Sequence, residues 1–345
     1  MSQTSSEIIL FNYPESVFGR RTVRYLNLRG LSFSQIRVPP NMPRPILQER
    51  LGINYRRIPI MAIGRDVYID TRLMLRKLET LYPEGKLGSN DTFEQGLEDI
   101  LEEFVIDAGP FVRTAGCIPM SAPLVNDKVW MKDRSDGSGG MFSRDALIEN
   151  RSWSLSQLRL YFGMMEKILG DGREWIFNGS RPGLAEVHVA WVYDWAVNMA
   201  GDMGGESDDS TADLKRMLNK DEFPRIHEWV QRFRKACERA ESLNSGAGAI
   251  DEGQEKEDDV VKRILGGGLE EPDVLAFDDD DVLGLSKGQE VSVSPVDFGF
   301  THQDVGTLIG LTKDEVVIET GVPGKSNGKL RLHYPRMNFK IKAVD

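Results

Sequence analysis

The chain has 345 residues, too many for a single hydrophobic core, and its 40% hydrophobic and 28% charged residues are typical of a globular chain. No apolar run reaches the roughly 18 residues that a membrane span requires, and the segment MSQTSSEIIL lacks the features of a secretory signal. The two cysteines, Cys117 and Cys237, are far apart, and the four histidines lack metal-ligand spacing. We therefore expect no disulfide scaffold, no metal site and a cytoplasmic location.

The net charge of -11 is unevenly distributed. Residues 1–90 contain 14 Lys and Arg against 7 Asp and Glu, whereas residues 251–281 contain 13 acidic and 3 basic residues. An acidic chain is a poor nucleic-acid binder, so neither nucleic acid nor membrane is an expected partner. The basic first region favours a small anionic ligand, unless its arginines only decorate solvated helix faces.

The first 89 residues have the pattern of a small mixed α/β domain. After a disordered tail at 1–6, Ile8–Phe11 predicts a buried strand, and residues 17–29 predict a helix that Gly30 ends. Leu31–Val38 is strand-like and is followed by a proline-rich crossover. The elements that complete this domain are a hairpin of Ile58–Ile63 and Asp66–Ile69 and a helix over Thr71–Leu81.

Residues 90–241 are helical in pattern. The predicted helices are Phe93–Ala108, Ser154–Leu169, Leu184–Ala200 and Glu222–Ala240. The first has an apolar face of Leu97, Ile100, Leu101, Phe104 and Val105, which we expect to be buried. Leu184–Ala200 is apolar nearly all round, which predicts a central buried helix.

The remaining chain changes character twice. Residues 242–282 are rich in Gly and Ser and then acidic, which predicts a largely disordered linker in which Val260–Leu265 and Val274–Phe277 dock locally. Residues 283–345 then show period-two alternation. Five short strands in this region predict a small antiparallel β-barrel, SH3-like in size: Gln289–Ser294, Gly306–Leu311, Glu315–Glu319, Lys329–His333 and Phe339–Ala343.

Four local features are arranged in a familiar order. Ser16 lies between the first strand and the first helix, Ile58-Pro59 opens the hairpin, Asp70-Thr71 begins the next helix, and Arg181–Trp191 leads into the buried helix. With these features, the first 240 residues resemble a cytosolic glutathione transferase. The resemblance implies a thioredoxin-like domain followed by an all-helical domain. The appended β-domain resembles fungal members of the glutathione transferase-like group.

The resemblance implies a catalytic role for Ser16, at the position where the family places Ser, Cys or Tyr. A hydroxyl at a helix N-terminus can donate a hydrogen bond to the glutathione thiolate, and the helix dipole adds to this stabilisation. Tyr13 is the alternative, because some classes carry a tyrosine at the end of the first strand. A helix N-cap is the purely structural alternative for Ser16.

The remaining site residues also follow from the resemblance. Pro59 corresponds to the family's cis-proline, and Ile58 would pair its backbone with glutathione. Thr71 would hold the γ-glutamyl carboxylate and Asp70 the ammonium, although an ordinary N-cap would explain both as well. Phe18 is assigned to the same glutathione site. The arginines Arg44, Arg56, Arg57 and Arg72 could each bind a carboxylate, and nothing in the sequence selects among them.

Other residues are weaker candidates. Gly183 and Glu186 replace the Ser/Thr and Asp of the family's capping motif, which removes the reciprocal capping box. His188 lies in an apolar helix and is expected to be a core histidine. Cys117 is a poor candidate for a nucleophile.

The leading hypothesis is a glutathione transferase-like enzyme that activates the glutathione thiol for conjugation to, or isomerisation or elimination of, a small apolar electrophile. Glutathione would be a co-substrate, and no metal is needed. The alternative is a non-catalytic scaffold that uses the β-domain for partner contact. A homodimer is expected from the resemblance alone.

Overall fold

The computed structural model describes residues 6–177, 179–201, 209–251 and 257–344. These residues form two compact units. Unit 1 combines Met1–Leu26, Leu31–Leu81 and Ser245–Asp345, and unit 2 combines Asn27–Gly30 and Tyr82–Asn244.

All strands of the described residues belong to unit 1. They are β1 (Ile8–Asn12), β2 (Phe33–Arg37), β3 (Ile60–Ile63), β4 (Asp66–Ile69), β5 (Ala247–Asp251), β6 (Glu290–Pro295), β7 (Asp304–Leu311), β8 (Glu315–Gly321), β9 (Lys329–Pro335) and β10 (Phe339–Ala343). The helices are α1 (Val17–Arg29), α2 (Thr71–Leu81), α3 (Thr92–Ile106), α4 (Pro110–Ala115), α5 (Pro123–Asn126), α6 (Lys128–Gly137), α7 (Arg144–Ile168), α8 (Leu184–Gly201), α9 (Asp209–Met217), α10 (Pro224–Leu243) and α11 (Glu257–Gly266). A π-helical turn at Ile46–Arg50 lies in the crossover.

The first part of unit 1 has the expected thioredoxin-like topology. β1 pairs with β2 in parallel and with β3 in antiparallel orientation, and β3 and β4 form the predicted hairpin around Gly64. β1, β3 and β4 are buried along their whole length, which explains their largely apolar sequences. α2 begins and ends where the sequence predicts.

The C-terminal strands do not form the expected closed barrel. They extend the thioredoxin-like sheet into one sheet of ten strands, in the order β10-β6-β7-β8-β9-β4-β3-β1-β2-β5. β9 runs parallel to β4, with Tyr68 opposite His333, and β10 lies at the sheet edge. The five strands were placed correctly from their period-two pattern, but the SH3-like barrel was wrong because the last strand and β9 do not pair.

The expected linker also contains ordered structure. β5 pairs in parallel with β2, and α11 buries Val260, Val261 and Ile264 in the same core as β1 and β6 to β10. Local docking of Val260–Leu265 is therefore confirmed. Val274 is 78% exposed, whereas Phe277 packs partly against the core and bridges to Leu311. The acidic composition of the segment does not prevent ordered structure, because a helix needs only one apolar stripe to pack on a core.

A buried cluster of charges connects the C-terminal segment to β4 and α2. Asp66 Oδ1 lies 3.0 Å from His333 Nε2, and Glu315 Oε1 lies 2.8 Å from His333 Nδ1. Lys77 Nζ lies 2.7 Å from both Glu271 and Glu315. Asp66 and His333 are fully buried. We call these five residues the His333 cluster.

Contacts within the His333 cluster shift the pKa values of His333, Asp66 and Glu315 towards the charged forms. Burial alone would lower the pKa of His333, but its hydrogen bonds to Asp66 and Glu315 raise that pKa above the usual value. Burial likewise opposes ionisation of Asp66 and Glu315, yet His333 lowers the pKa of both carboxyl groups. Glu271, Glu315 and His333 are close enough to share a metal ion. The Lys77 ammonium already supplies a positive charge between the two glutamates.

A second buried carboxyl, Asp304, starts β7. Its oxygens accept the Asn54 N–H at 2.5 Å and the Tyr334 hydroxyl at 2.6 Å. Burial raises the pKa of Asp304 to about 6, although both hydrogen bonds act in the opposite direction. The folded protein therefore holds this proton more tightly than the unfolded chain does.

Asp304 makes stability depend on pH. Its contribution is greatest at acidic pH and is lost as the pH rises through the folded-state pKa, because the ionised form is then buried. Between about pH 4.5 and 7 we expect it to lower the free energy of unfolding by about 2 kcal/mol. Urea denaturation gives the free energy of unfolding of the wild type and of Asp304→Asn at each pH. The difference between the two proteins should change by this amount between the two pH values. The same difference for the exposed Asp314→Asn should stay constant, and a pH-independent difference for Asp304→Asn would contradict the prediction.

Unit 2 is built around α8, as predicted. Glu186 is 1% exposed, and its carboxylate accepts the N–H groups of Ile176 at 2.6 Å and Gly183 at 2.8 Å. The return bond from Glu186 to the N-cap is therefore kept, and only the side-chain half of the capping box is lost at Gly183. Burial raises the pKa of Glu186. His188 is buried, with Nδ1 3.1 Å from Glu102, as expected for a core histidine.

The predicted buried face of α3 is only partly correct. Val105 is buried, but Ile100 is 63% exposed, and Glu98 and Glu102 are buried instead. Glu98 accepts the N–H of Ser89 at 3.1 Å, and Glu102 pairs with His188. No helix among the described residues is both long enough and apolar enough to cross a membrane.

Candidate functional site

The N-terminus of α1 presents Ser16. The side chain is 5% exposed, and its Oγ accepts the N–H of Gly19 at 3.0 Å. Ser16 is thus the N-cap, but this bond uses an oxygen lone pair and leaves the hydroxyl proton to donate elsewhere. The N-cap role of Ser16 is therefore compatible with the catalytic role predicted for it.

Gly19 allows α1 to approach the end of β1. A Cβ at this position would lie 1.8 Å from Asn12 Oδ1, so a larger residue would displace the buried Asn12 side chain at the end of the strand. Tyr13, between these elements, is half-buried against the unit 1 core, and its carbonyl oxygen accepts the N–H of Ser16 at 3.1 Å. Phe18 is half-buried in the first turn of α1, and its carbonyl accepts the Thr22 hydroxyl at 3.1 Å. The roles assigned to Tyr13 and Phe18 remain predictions.

The start of α2 places Asp70 and Thr71. Asp70 has a φ of 70°, in the left-handed region that non-glycine residues rarely adopt and that is often found at functional sites. Its Oδ1 accepts the N–H of Arg72 at 3.0 Å, so it caps the helix. The first-turn N–H groups and the helix dipole make this end of α2 suitable for a carboxylate.

Arg21 connects the two helix starts, and sequence reasoning did not identify it. It is 1% exposed, and its Nη1 donates to Thr71 Oγ1 at 3.2 Å. The guanidinium therefore adds a buried positive charge next to the Thr71 hydroxyl, whose proton remains available to a ligand. An arginine within an amphipathic helix resembles a surface residue, so no sequence signal distinguished Arg21.

Ile58 and Pro59 lie immediately before β3. The Ile58-Pro59 peptide bond is cis, as the resemblance implies. Ile58 is 8% exposed and belongs to the core cluster of unit 1. Packing of the Ile58 side chain in this core thus holds its backbone in place.

The structure separates the candidate arginines. Arg44 is 2% exposed and donates to the carbonyl oxygens of Pro39, Pro40 and Arg56, so it holds the crossover together. Arg57 instead donates from Nη1 to Asp70 Oδ2 at 3.4 Å, and Arg72 Nη1 lies 3.7 Å from the same oxygen. Of these, Arg57 and Arg72 are therefore in contact with a predicted site residue.

Cys117, in unit 2, is fully buried. Burial raises the pKa of its thiol to about 11, although Arg151 and Arg113 act to lower it. A thiol with such a pKa is protonated near neutrality and is a poor nucleophile. Cys117 therefore fits a structural role.

Comparison with known proteins supports the assignment of the first region. Residues 10–86 match the family described as glutathione S-transferase, N-terminal domain. Residues 113–242 match a domain of unknown function, DUF7962. No curated protein matches the chain.

The fold also has solved relatives. A GST-like protein from Pseudomonas syringae is 19% identical with a TM-score of 0.68, and the match covers 98% of this chain and 100% of that one. The β-etherase LigF from Sphingobium is 16% identical with a TM-score of 0.50, covering 68% of this chain and 98% of that one. A glutathione transferase from Burkholderia graminis, solved with two glutathione molecules per subunit, is 16% identical with a TM-score of 0.47, covering 70% and 89%.

The Pseudomonas structure bears on the C-terminal segment. Because the match spans nearly the whole chain, this segment's fold is shared with a bacterial protein, and the fungal type expected from the sequence is not confirmed. Residues 10–86 thus form a GST-like thioredoxin-fold domain, and the fold of the described chain is similar to that of a GST-like protein.

Proposed function

We propose that the protein binds glutathione in unit 1 and activates its thiol for reaction with a small apolar electrophile. The proposal rests on the N-terminal ends of α1 and α2, which a side-chain contact connects. Ser16 caps α1 with its hydroxyl proton left to donate, and Arg21 of the same helix contacts Thr71 at the start of α2. One helix start can thus serve a thiolate while the other serves a carboxylate.

In the proposed mechanism, each residue acts on a different part of glutathione. Thr71, the α2 amides and Arg21 bind the γ-glutamyl carboxylate, and Asp70 binds the ammonium. The backbone of Ile58 pairs with the cysteinyl backbone as an added strand would. Ser16 donates to the thiolate, which lowers the thiol pKa and raises the fraction of nucleophile at neutral pH.

Thr71→Val tests the binding site without changing the volume of the side chain. We expect calorimetry to show at least a tenfold weaker affinity for glutathione, because a hydrogen bond to a charged carboxylate contributes about 1.5–3 kcal/mol. Ser16→Ala should retain binding, since its proposed partner is the thiolate.

Thr80→Val is the matched control. Thr80 is an exposed residue of the same helix, and its hydroxyl donates to the Arg76 carbonyl at 3.0 Å. It should bind glutathione like the wild type. If the wild type does not bind glutathione at all, the proposed function is wrong. The scaffold alternative would then be favoured, although its expected free β-barrel is instead part of the unit 1 sheet.

A homodimer and a cytoplasmic location are part of the same proposal. Phe93 and Ile100 on α3 are 74% and 63% exposed, which supports burial of this face in a second copy. Cys117 and Cys237 are both buried, and neither forms a disulfide bond, which supports a reducing compartment.

A further inference from the structure

The C-terminal segment supplies several of the residues in contact with Arg57. The Arg57 Nε donates to the carbonyl oxygen of Phe298 at 3.0 Å, and its Nη2 donates to the Asp297 carboxylate. Its guanidinium lies 5.6 Å from the Phe339 ring centroid and 5.8 Å from that of Tyr55. Asp297 and Phe298 lie between β6 and β7, far from Arg57 in sequence but beside it in the folded unit.

This loop is fixed on both sides of Asp297. The N–H of Val296 donates to the carbonyl of Asn338 at 3.0 Å. Gly299 has a φ of 79°, and a Cβ there would lie 3.2 Å from the Arg56 side chain. The Arg56 guanidinium also lies 5.7 Å from the centroid of the Phe298 ring. Asp297 is therefore held in place while its side chain stays 42% exposed.

The charge balance at Asp70 gives this arrangement a consequence. Two guanidinium groups, from Arg57 and Arg72, lie 3.4 and 3.7 Å from the Asp70 carboxylate. Their positive charge opposes the binding of a cationic ligand group at Asp70. The Asp297 carboxylate, which accepts a hydrogen bond from Nη2 of Arg57, offsets the charge of that guanidinium.

We propose that Asp297 is a positioning residue of the glutathione site, which holds Arg57 and balances the charge at Asp70 so that Asp70 can bind the α-ammonium of the ligand. This inference rests on the proposed function. It makes the C-terminal segment part of a site whose other residues all precede residue 90.

Asp297→Asn tests the inference with two ligands. One is glutathione, and the other is its analogue with a glutaryl group in place of the γ-glutamyl group, which lacks the α-ammonium. By calorimetry, we expect the Kd for glutathione to rise roughly tenfold, as for removal of one partly screened charge near the ligand. The Kd for the analogue should change by less than about twofold, and Asp297→Glu should restore the binding of glutathione.

The controls separate charge from packing. Glu319→Gln removes a carboxylate that pairs with Lys329 in the same segment, and it should affect neither ligand. An equal loss of affinity for both ligands in Asp297→Asn would show that Asp297 is only a structural residue. The same conclusion would follow if Asp297→Asn did not fold while Asp297→Glu folded but did not bind glutathione. Unchanged glutathione binding by Asp297→Asn would overturn the inference and leave the proposed function intact. A wild type without glutathione binding would overturn both.

Discussion

Replacing His333 with glutamine is expected to destabilise unit 1 by about 3–5 kcal/mol, because the change leaves the fully buried Asp66 carboxylate without its cationic partner. The loss should be concentrated where β9 pairs with β4. Urea denaturation measures the free energy of unfolding, and hydrogen exchange of the β4 and β9 amides locates the change. Since burial of charge is involved, this is the largest stability effect that we predict.

The effect should depend on pH with a defined sign. The folded-state pKa of His333 is raised, so its contribution is fully present below its ordinary pKa of 6.5 and is lost as the pH rises through the folded value. The pKa values of Asp66 and Glu315 are lowered, so their contributions are present above their ordinary values of 3.8 and 4.5 and are lost as the pH falls through the folded values. The difference between wild type and variant should therefore be largest between about pH 5 and 6.5.

His302→Gln is the matched control, because it is the same change in the same segment at a residue outside the His333 cluster. Its effect should stay below about 1 kcal/mol at every pH. A His333→Gln variant as stable as His302→Gln would show that the His333 cluster does not hold the C-terminal segment.

Ser16→Ala is expected to lower kcat about a hundredfold while changing the Kd for glutathione less than about twofold. The reason is that the hydroxyl would act on the thiolate and not on the rest of the ligand. A thiol pKa lowered by two units corresponds to about 2.7 kcal/mol, which matches this loss of rate. Steady-state kinetics with a chromogenic electrophile, combined with calorimetry, measures both quantities.

Ser143→Ala controls for loss of a helix cap. The Ser143 Oγ accepts the N–H of Ala146 at 3.2 Å at the start of α7, so this variant also loses a cap, at a cost of about 0.5–2 kcal/mol. Its kcat should remain that of the wild type. Unchanged turnover in Ser16→Ala would remove Ser16 from the mechanism, and Tyr13→Phe would then be the variant to measure.

Single helices and strands were predictable where the sequence pattern lies within the element itself. The hairpin, α2, the buried α8 and the five C-terminal strands follow from periodicity and from turn residues. The pairing of β9 with β4 was not predictable, because it joins residues more than 260 positions apart in sequence and depends on the buried His333 cluster. A period-two pattern identifies a strand but not its neighbour.

Buried charges explain the remaining errors. Glu98 and Glu102 lie on the buried side of α3 because Ser89 and His188 satisfy them, which an apolar-face argument cannot anticipate. In the candidate site, the resemblance implied Ser16, Pro59, Asp70 and Thr71, whose roles stay predictions. The sequence did not point to Arg21 or to the proposed role of Asp297, since each looks like a surface residue until its partner is known.

The central claim is that the site lowers the pKa of a bound thiol. The direct test is to titrate glutathione bound to the wild-type protein, following the ultraviolet absorption of the thiolate as the pH is raised. We predict a thiol pKa about two units below the usual value of about 8.5, and its return towards that value in Ser16→Ala. Bound glutathione whose thiol titrates as it does in free solution would contradict it.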